Sequence, residues 1–299
     1  MATTLALVGN PNVGKTAVFN ALTGLSQTTG NYAGVTVSRT YGTLHLGEIK
    51  VKLADLPGSY SLAARSPDEV IVVDVLLDQQ TDEAPITGII VVMDASNLER
   101  NLYFLSQLIE LKKPFIVALN MMDIADRRGI KINCEALSKA LGAPVVPVRA
   151  HKQQGFSTLC KAILALYQGD LKVSSSVGCT FPESQIQAVA GLAALLKSCE
   201  DKLGRTVPLP EVGRILIDAG GYAEKRIVRR LGPDFVKTLA EYREAAVENG
   251  ASLPAQEAKV RYGWVKEILA ASVTQPDPRK HSRPARIDNG LTTKLYGPV

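Results

Sequence analysis

The sequence predicts an α/β domain with a mostly parallel sheet, followed by a smaller all-helical domain. Over the first 170 or so of the 299 residues, short aliphatic runs alternate with amphipathic segments. This alternation is typical of a parallel sheet with helices on both faces. After Gly169 the short β-branched runs stop, and longer stretches with helical spacing replace them.

The predicted strands of the first domain are short and rich in β-branched or aliphatic residues. They are 5–9, 51–55, 89–94, 115–119 and 144–148. The stretch 41–55 holds two strands around a turn at Gly47, so we expect one antiparallel pair at an edge of the sheet.

The second domain is predicted from helical spacing and from helix-boundary residues. Pro182, Pro233 and Pro254 lie near predicted helix starts, and Gly232 and Gly250 lie near predicted stops. A polar, serine-rich stretch precedes them. The predicted domain organisation is 1–170 for the nucleotide-binding domain, 171–181 for a linker, 182–275 for the helical domain and 276–299 for a basic tail.

The composition indicates a globular protein, with 46% hydrophobic and 21% charged residues and a mean hydropathy of +0.07. The net charge of +5 is spread along the chain, so we expect no nucleic-acid partner. Four cysteines without CxxC spacing predict neither a zinc site nor a disulfide framework. The three histidines are interpreted as structural. No run reaches the ~18 apolar residues of a membrane helix.

The stretch GNPNVGKT, residues 9–16, matches the phosphate-binding pattern GxxxxGK[ST] between a predicted strand and a predicted helix. Its backbone amides can surround phosphates, Lys15 can reach the β- and γ-phosphates, and the Thr16 hydroxyl can bind magnesium. The alternative is a chance match in a glycine-rich turn, which the strand–loop–helix context disfavours. The predicted nucleotide contacts here are Gly9, Asn10, Pro11, Asn12, Val13, Gly14, Lys15, Thr16 and Ala17.

A second motif, DLPG at residues 55–58, follows a predicted strand. Asp55 can hold a magnesium water, and the Gly58 amide can sense the γ-phosphate. A lone DxxG is more often an ordinary strand-ending turn. Its position after the phosphate-binding loop favours the magnesium site.

The stretch NMMD, residues 120–123, predicts guanine recognition. The Asp123 carboxylate can accept the N–H donors of guanine N1 and the 2-amino group, which adenine does not offer. We expect Asn120 to tie this loop to the phosphate-binding loop. Met121 supplies only apolar packing where most GTPases have lysine, which predicts modest affinity and fast nucleotide release. A lone NxxD match can equally be a helix cap or a turn.

The stretch PVRAH, residues 147–151, stands where many GTPases have a Ser-Ala pair. Arg149 in that place leaves the base-loop contacts and the release rate open, while the Ala150 amide could meet guanine O6. With the other motifs in order, the sequence predicts a Ras-like P-loop GTPase fold that binds GTP or GDP with Mg²⁺.

Catalytic residues are harder to assign. Ser59 follows DLPG where Ras-like enzymes have glutamine, and its side chain is too short to hold the attacking water. Thr36 in GVTV is the candidate switch threonine, whose hydroxyl can complete magnesium coordination and whose carbonyl can orient water. Its alternative is an ordinary strand threonine. The predicted catalytic set is Asn12, Lys15, Thr36 and Gly58.

The stretches GNPNVGKT, GNYAGVTV, DLPGSYSLAARS and LNMMDIA together resemble the cytosolic N-terminal part of the FeoB family of bacterial ferrous-iron transport proteins. The resemblance implies a GTPase domain joined to a helical guanine-nucleotide dissociation inhibitor domain, with a membrane region after them. It implies a GTP-hydrolysing module at the cytoplasmic face of the inner membrane that regulates or drives Fe(II) uptake. The implied partners are guanine nucleotide and the chain's own membrane region, and a homo-oligomer stays open.

The resemblance also implies a potassium ion beside the phosphates, where an arginine finger would lie. Asn12 would ligate it, and backbone carbonyls near Gly30 and Tyr32 would close the site. The expected activity is slow intrinsic hydrolysis that K⁺ stimulates. The alternative for Asn12 is an amide that only stabilises its loop.

Two other functions stay open at this point. One is a free-standing soluble regulatory GTPase acting on RNA or ribosomes, and the other is a nucleotide-binding interaction protein with negligible turnover. The basic stretch containing Arg279, Lys280, Arg283 and Arg286 predicts that the reading frame continues past Val299 into an apolar segment of about 20 residues. The alternative is a disordered basic tail.

Overall fold

A computed structural model describes residues 4–24, 27–31, 38–78, 84–171, 177–248 and 250–274. Its strands are β1 (Thr4–Gly9), β2 (Gln27–Asn31), β3 (Ser38–Leu46), β4 (Ile49–Asp55), β5 (Ile86–Asp94), β6 (Phe115–Asn120), β7 (Lys131–Ile132), β8 (Val145–Pro147) and β9 (Val273–Thr274). Its helices are α1 (Lys15–Thr23), α2 (Pro67–Leu76), α3 (Leu98–Ile109), α4 (Met122–Arg127), α5 (Cys134–Leu141), α6 (Phe156–Gln168), α7 (Glu183–Ser198), α8 (Glu200–Leu203), α9 (Leu209–Ile217), α10 (Tyr222–Leu231), α11 (Asp234–Ala246) and α12 (Leu253–Ser272).

The main sheet of the described residues has the strand order β2-β3-β4-β1-β5-β6-β8. Its pairs from β4 to β8 are parallel, which confirms the predicted α/β fold. The predicted hairpin around Gly47 is present as antiparallel β3 and β4. A further antiparallel strand, β2, lies outside β3, so the antiparallel part holds two pairs instead of the one expected.

The central strands read as continuous apolar runs because both faces of the sheet are covered. One buried cluster contains Ala6, Val8, Ile89 and Val91, and the opposite face contains Leu5, Leu7, Ile90 and Val92. Successive residues of β1 and β5 therefore alternate between two cores.

The helical region after residue 182 has an apolar core of its own. It includes Leu192 of α7, Ile215 of α9 and Leu239 of α11, all with no exposed side-chain surface. Pro182 and Pro233 precede α7 and α11 and Pro254 lies in the first turn of α12, as predicted from the sequence. The sequence did not predict α9.

The last helix, α12, packs against both cores: Leu253 in its first turn belongs to the helical core, and its later turns pack against the first domain. Its Val265 and Ile268 belong to the same buried cluster as α3 and β5. Directly after α12, β9 pairs antiparallel with β7, which is the exception to an all-helical second part. The predicted domain boundaries, at residues 170, 182 and 275, remain predictions from the sequence.

In the described part of the chain, no helix is both long enough and apolar enough to cross a membrane.

Candidate functional site

The site lies where β1, β4 and β6 end, at one edge of the sheet. The chain turns from β1 into α1 through residues 10–14, with Asn12 at φ +66° and Gly14 at φ +82°. A Cβ on Gly14 would lie 2.4 Å from the Asn120 amide nitrogen, and one on Gly9 would lie 2.5 Å from the Val92 carbonyl oxygen. Both positions therefore require glycine, because any side chain would push the loop away from the sheet.

Lys15, in the first turn of α1, forms an ion pair with Asp55 at the end of β4. Both side chains are largely buried. Burial raises the pKa of the Asp55 carboxyl, and the Lys15 ammonium opposes part of that effect. Lys15, which is predicted to bind phosphate, and Asp55, which is predicted to bind Mg²⁺, are thus in direct contact.

The DLPG segment is held beside the phosphate-binding loop by main-chain contacts. The Leu56 amide donates to the Leu7 carbonyl at 3.1 Å, and the Ser59 amide donates to the Gly9 carbonyl at 3.2 Å. A Cβ on Gly58 would lie 3.1 Å from the Cα of Pro11, so Gly58 allows the close approach of the two loops.

Ser59 is only 1% exposed, and its hydroxyl donates to the Ser61 carbonyl at 2.7 Å while accepting from the Ser61 amide at 3.3 Å. This hydroxyl is engaged within its own loop. The geometry agrees with the expectation that Ser59 does not replace the water-orienting glutamine.

Asn120 joins the phosphate loop to the predicted base-binding loops, as the sequence predicts. Its Nδ2 donates to the Val13 carbonyl at 3.0 Å, and its Oδ1 accepts from the Ala150 amide at 3.1 Å. The second bond engages the Ala150 amide with Asn120. The contact of this amide with guanine O6 stays a prediction.

Asp123 lies in the first turn of α4, after Met121 at φ +61°. Its Oδ2 lies 3.4 Å from Arg127 Nη2 and 3.7 Å from Nε2 of His151, a residue that the sequence alone does not assign to the base site. Arg149 turns outward and donates to Asp126 Oδ2 at 2.8 Å. It therefore braces the base-binding loop from outside. The position of His151 in the loop after β8, next to Ala150, is the feature of the sequence that could have placed it near the base site.

The remaining predicted residues are placed as follows. Thr16 and Ala17 are exposed in the first turn of α1, and the exposed Asn12 precedes it. Gly30 lies in β2 opposite Arg39. Tyr32 and Thr36 lie outside the described residues.

Two further observations fit this edge to a phosphate ligand with a metal ion. Asn10 is 4% exposed, and its Nδ2 has no hydrogen-bond partner in the described part of the chain. The turn also has two residues with positive φ, Asn12 and Gly14, a backbone conformation that is found in anion-binding loops. With Lys15 and Asp55 alongside, the residues present suit a nucleotide phosphate group and Mg²⁺.

Comparison with known proteins places this site in a family. The family model described as "Ferrous iron transport protein B" matches residues 3–163. The Fe(2+) transporter FeoB of Legionella pneumophila (strain Paris) is 49% identical over 177 residues, which are 57% of this chain and 23% of that protein. The transporter of Staphylococcus aureus (strain COL) is 34% identical over 97% of this chain and 42% of its own length. The chain thus spans less than half the length of these curated relatives.

Solved structures of the same family share the fold. The cytosolic domain of L. pneumophila FeoB is 34% identical with a TM-score of 0.74, covering 91% of this chain and 100% of that one. A GDP-bound mutant of S. thermophilus NFeoB is 31% identical with a TM-score of 0.75 over 91% of this chain and 100% of that one. The motifs, the P-loop GTPase fold and these matches lead to one conclusion: the chain belongs to the ferrous iron transport protein B family.

Proposed function

We propose that this chain is the GTP-binding and GTP-hydrolysing module of a ferrous iron transporter. The observation that carries the proposal is the convergence of the Lys15–Asp55 pair and the Asn120 bridge at one sheet edge. The relatives and solved structures named above belong to the transporter family, which favours this function over a free-standing RNA-associated GTPase. A GDP-bound neighbour supports guanine nucleotide as the ligand.

Each residue has a distinct task in this proposal. The amides of residues 10–16 and the Lys15 ammonium hold the phosphates, and Thr16 with Asp55 holds Mg²⁺. Asp123 accepts from guanine, and Met121 packs on the base. Asn120 keeps the phosphate loop and the base loop in register through Val13 and Ala150.

Hydrolysis depends on few protein groups. A Mg²⁺ ion held by Thr16 and Asp55 would supply positive charge that offsets the charge developing on the phosphate oxygens. Gly58 presents its amide to the γ-phosphate, and Thr36 orients the attacking water through its carbonyl. Asn12 ligates K⁺ together with carbonyls near Gly30 and Tyr32. Because Ser59 is engaged with Ser61, we expect slow intrinsic turnover that K⁺ raises.

The partner in the whole protein is a membrane region that follows this chain, since the curated relatives are transporters of more than twice its length. We place the module at the cytoplasmic face of the bacterial inner membrane, where GTP binding regulates or drives Fe(II) uptake. Residues 1–170 form the GTPase domain in this proposal, and 182–275 form the helical domain.

Guanine recognition is the direct test. Asp123→Asn removes a charge-assisted contact worth about 1.5–3 kcal/mol, so GTP affinity should fall at least tenfold. Titration calorimetry with GTP and ATP measures the change. Asp201→Asn is the matched control, because it removes the same charge at an exposed position of α8, outside the phosphate-binding and base-binding loops. ATP binding as tight as GTP binding in the unmodified chain would contradict the proposal.

A further inference from the structure

Helix α3 supports the loop that follows Gly58 at two points. Gln107 is 1% exposed, and its Oε1 accepts from the Leu62 amide at 2.7 Å. Two turns earlier on α3, the Arg100 guanidinium lies 4.0 Å from the centre of the Tyr60 ring. Residues spaced by two turns share one face of a helix, so this face of α3 contacts the loop at Tyr60 and at Leu62.

Hydrogen bonds inside the loop shape it without attaching it to the domain. The Ser59 hydroxyl bonds to the main chain of Ser61, and the Ser61 hydroxyl accepts from the Ala63 amide at 3.0 Å. At the start of the loop, the Ser59 amide is bound to the Gly9 carbonyl. Further along, Gln107 provides the side-chain acceptor that connects Leu62 to the sheet-packed helix.

Helix α3 is itself fixed on its other side. Arg261 of α12, which is fully buried, donates to the Ser106 hydroxyl at 3.0 Å and pairs with Glu110 at 2.7 Å. Neighbouring residues of α3 therefore contact the loop on one side and a buried arginine on the other. The helix that carries the Gln107 acceptor is therefore held in place by buried contacts on its other side.

We propose that Gln107 is a positioning residue for GTP hydrolysis, which holds the loop after Gly58 so that the Gly58 amide faces the γ-phosphate. The inference rests on the function proposed above and names a residue that this function did not include. A donor that serves the transition state must stay within a few tenths of an ångström of its place. Without Gln107, the buried Leu62 amide loses its acceptor, and the loop must move to find another one.

The effect should fall on turnover and leave nucleotide binding unchanged. Neither Gln107 nor Leu62 belongs to the phosphate-binding loop or to the base-binding loops. A misplacement near 1 Å can cost about a hundredfold in rate. We expect at least a tenfold loss of kcat, with the Kd for GDP and the KM for GTP changed less than twofold.

The test compares three variants by steady-state GTP hydrolysis, which gives kcat and KM, and by GDP titration. Gln107→Met keeps the length of the side chain and removes the acceptor. Gln107→Glu keeps an acceptor oxygen and should restore most of kcat. Gln185→Met is the matched control, because Gln185 is another buried glutamine on a helix, and its side chain has no hydrogen-bond partner among the described residues.

Loss of kcat in Gln107→Met, rescue in Gln107→Glu and no change in Gln185→Met would establish the positioning role. Unchanged kcat in Gln107→Met would overturn it, and so would an equal loss of kcat and of GDP affinity. If Gln107→Met does not fold, Gln107→Asn replaces it, because the shorter side chain withdraws the acceptor from Leu62. An unmodified chain that hydrolyses no GTP would instead overturn the proposed function.

Discussion

Glu257 lies between two buried arginines, and Glu257→Gln tests how α12 is held in the fold. Glu257 Oε1 accepts from Arg261 Nε at 2.7 Å and forms an ion pair with Arg214 of α9. Arg261 is fully buried, and Arg214 is nearly so. The substitution removes the negative charge and keeps the size of the side chain. It therefore leaves two desolvated guanidinium groups with less compensation.

The expected loss of unfolding free energy depends on the carboxylates that remain beside each arginine. Removing one partner of a buried pair costs about 3–5 kcal/mol in unfolding free energy. Arg261 retains Glu110 at 2.7 Å, and Arg214 retains Asp218 at 3.4 Å. Because both arginines keep a second carboxylate, we expect the lower end of that range, about 3 kcal/mol.

The cost should depend on pH. Burial alone would raise the pKa of Glu257, but Arg214 and Arg261 outweigh it and hold the pKa below the ordinary 4.5. A lowered pKa in the folded state means that the contribution to stability is complete above pH 4.5 and is lost as the pH falls through the folded-state pKa. The difference between the unmodified chain and Glu257→Gln should therefore shrink below pH 4.5.

Urea unfolding at pH 7 and at pH 4 measures both effects. The single tryptophan, Trp264, lies on α12 against the first core, so its fluorescence reports on this helix. Glu267→Gln is the matched control, because Glu267 is exposed on the same helix and should change stability by about 0.5 kcal/mol or less. A free energy of unfolding for Glu257→Gln within about 1 kcal/mol of the unmodified chain at pH 7 would show that Glu257 does not compensate the two buried arginines.

Three further predictions concern the nucleotide site. Asn12→Ala should abolish the difference in GTP hydrolysis rate between KCl and NaCl while GDP binding persists. Asn12→Gly should have the same effect without backbone strain at φ +66°. Equal hydrolysis rates in both salts for the unmodified chain would exclude a role of K⁺. Thr36→Ala should slow GTP hydrolysis in a phosphate-release assay, and a normal rate would remove Thr36 from the site. Gly14→Ala should lower GDP affinity at least tenfold by calorimetry, because its Cβ would lie 2.4 Å from Asn120 Nδ2 at φ +82°; unchanged affinity would show that the loop tolerates the clash.

The core of the first domain could be predicted because its strands are buried on both faces. The runs that became β1, β5 and β6 are continuous and apolar, so their composition alone indicates them. The strand β2, QTTGN, carries no such signal, because it is an edge strand held by main-chain pairing with β3. The short helix α9 begins with Leu-Pro at residues 209–210, and its amphipathic pattern is brief.

The phosphate loop and the Asn120 bridge could be predicted because their chemistry is local to a motif. Other parts of the site depend on contacts between distant residues. The Ala150 amide is taken by Asn120, and the Leu62 amide is taken by Gln107 on another helix. A glutamine within an amphipathic helix resembles a surface residue in sequence, and only tertiary packing shows that Gln107 is buried.

The small sheet of β7 and β9 gives the molecule a defined mechanical attachment point. Besides the strand pairing, the Asn133 amide donates to the Ser272 carbonyl at 2.8 Å, so the end of α12 is joined to the chain just after α4. Helix α4 carries Asp123 in its first turn. A displacement of the end of α12 would therefore act directly on β7 and, through the short connection 128–130, on α4.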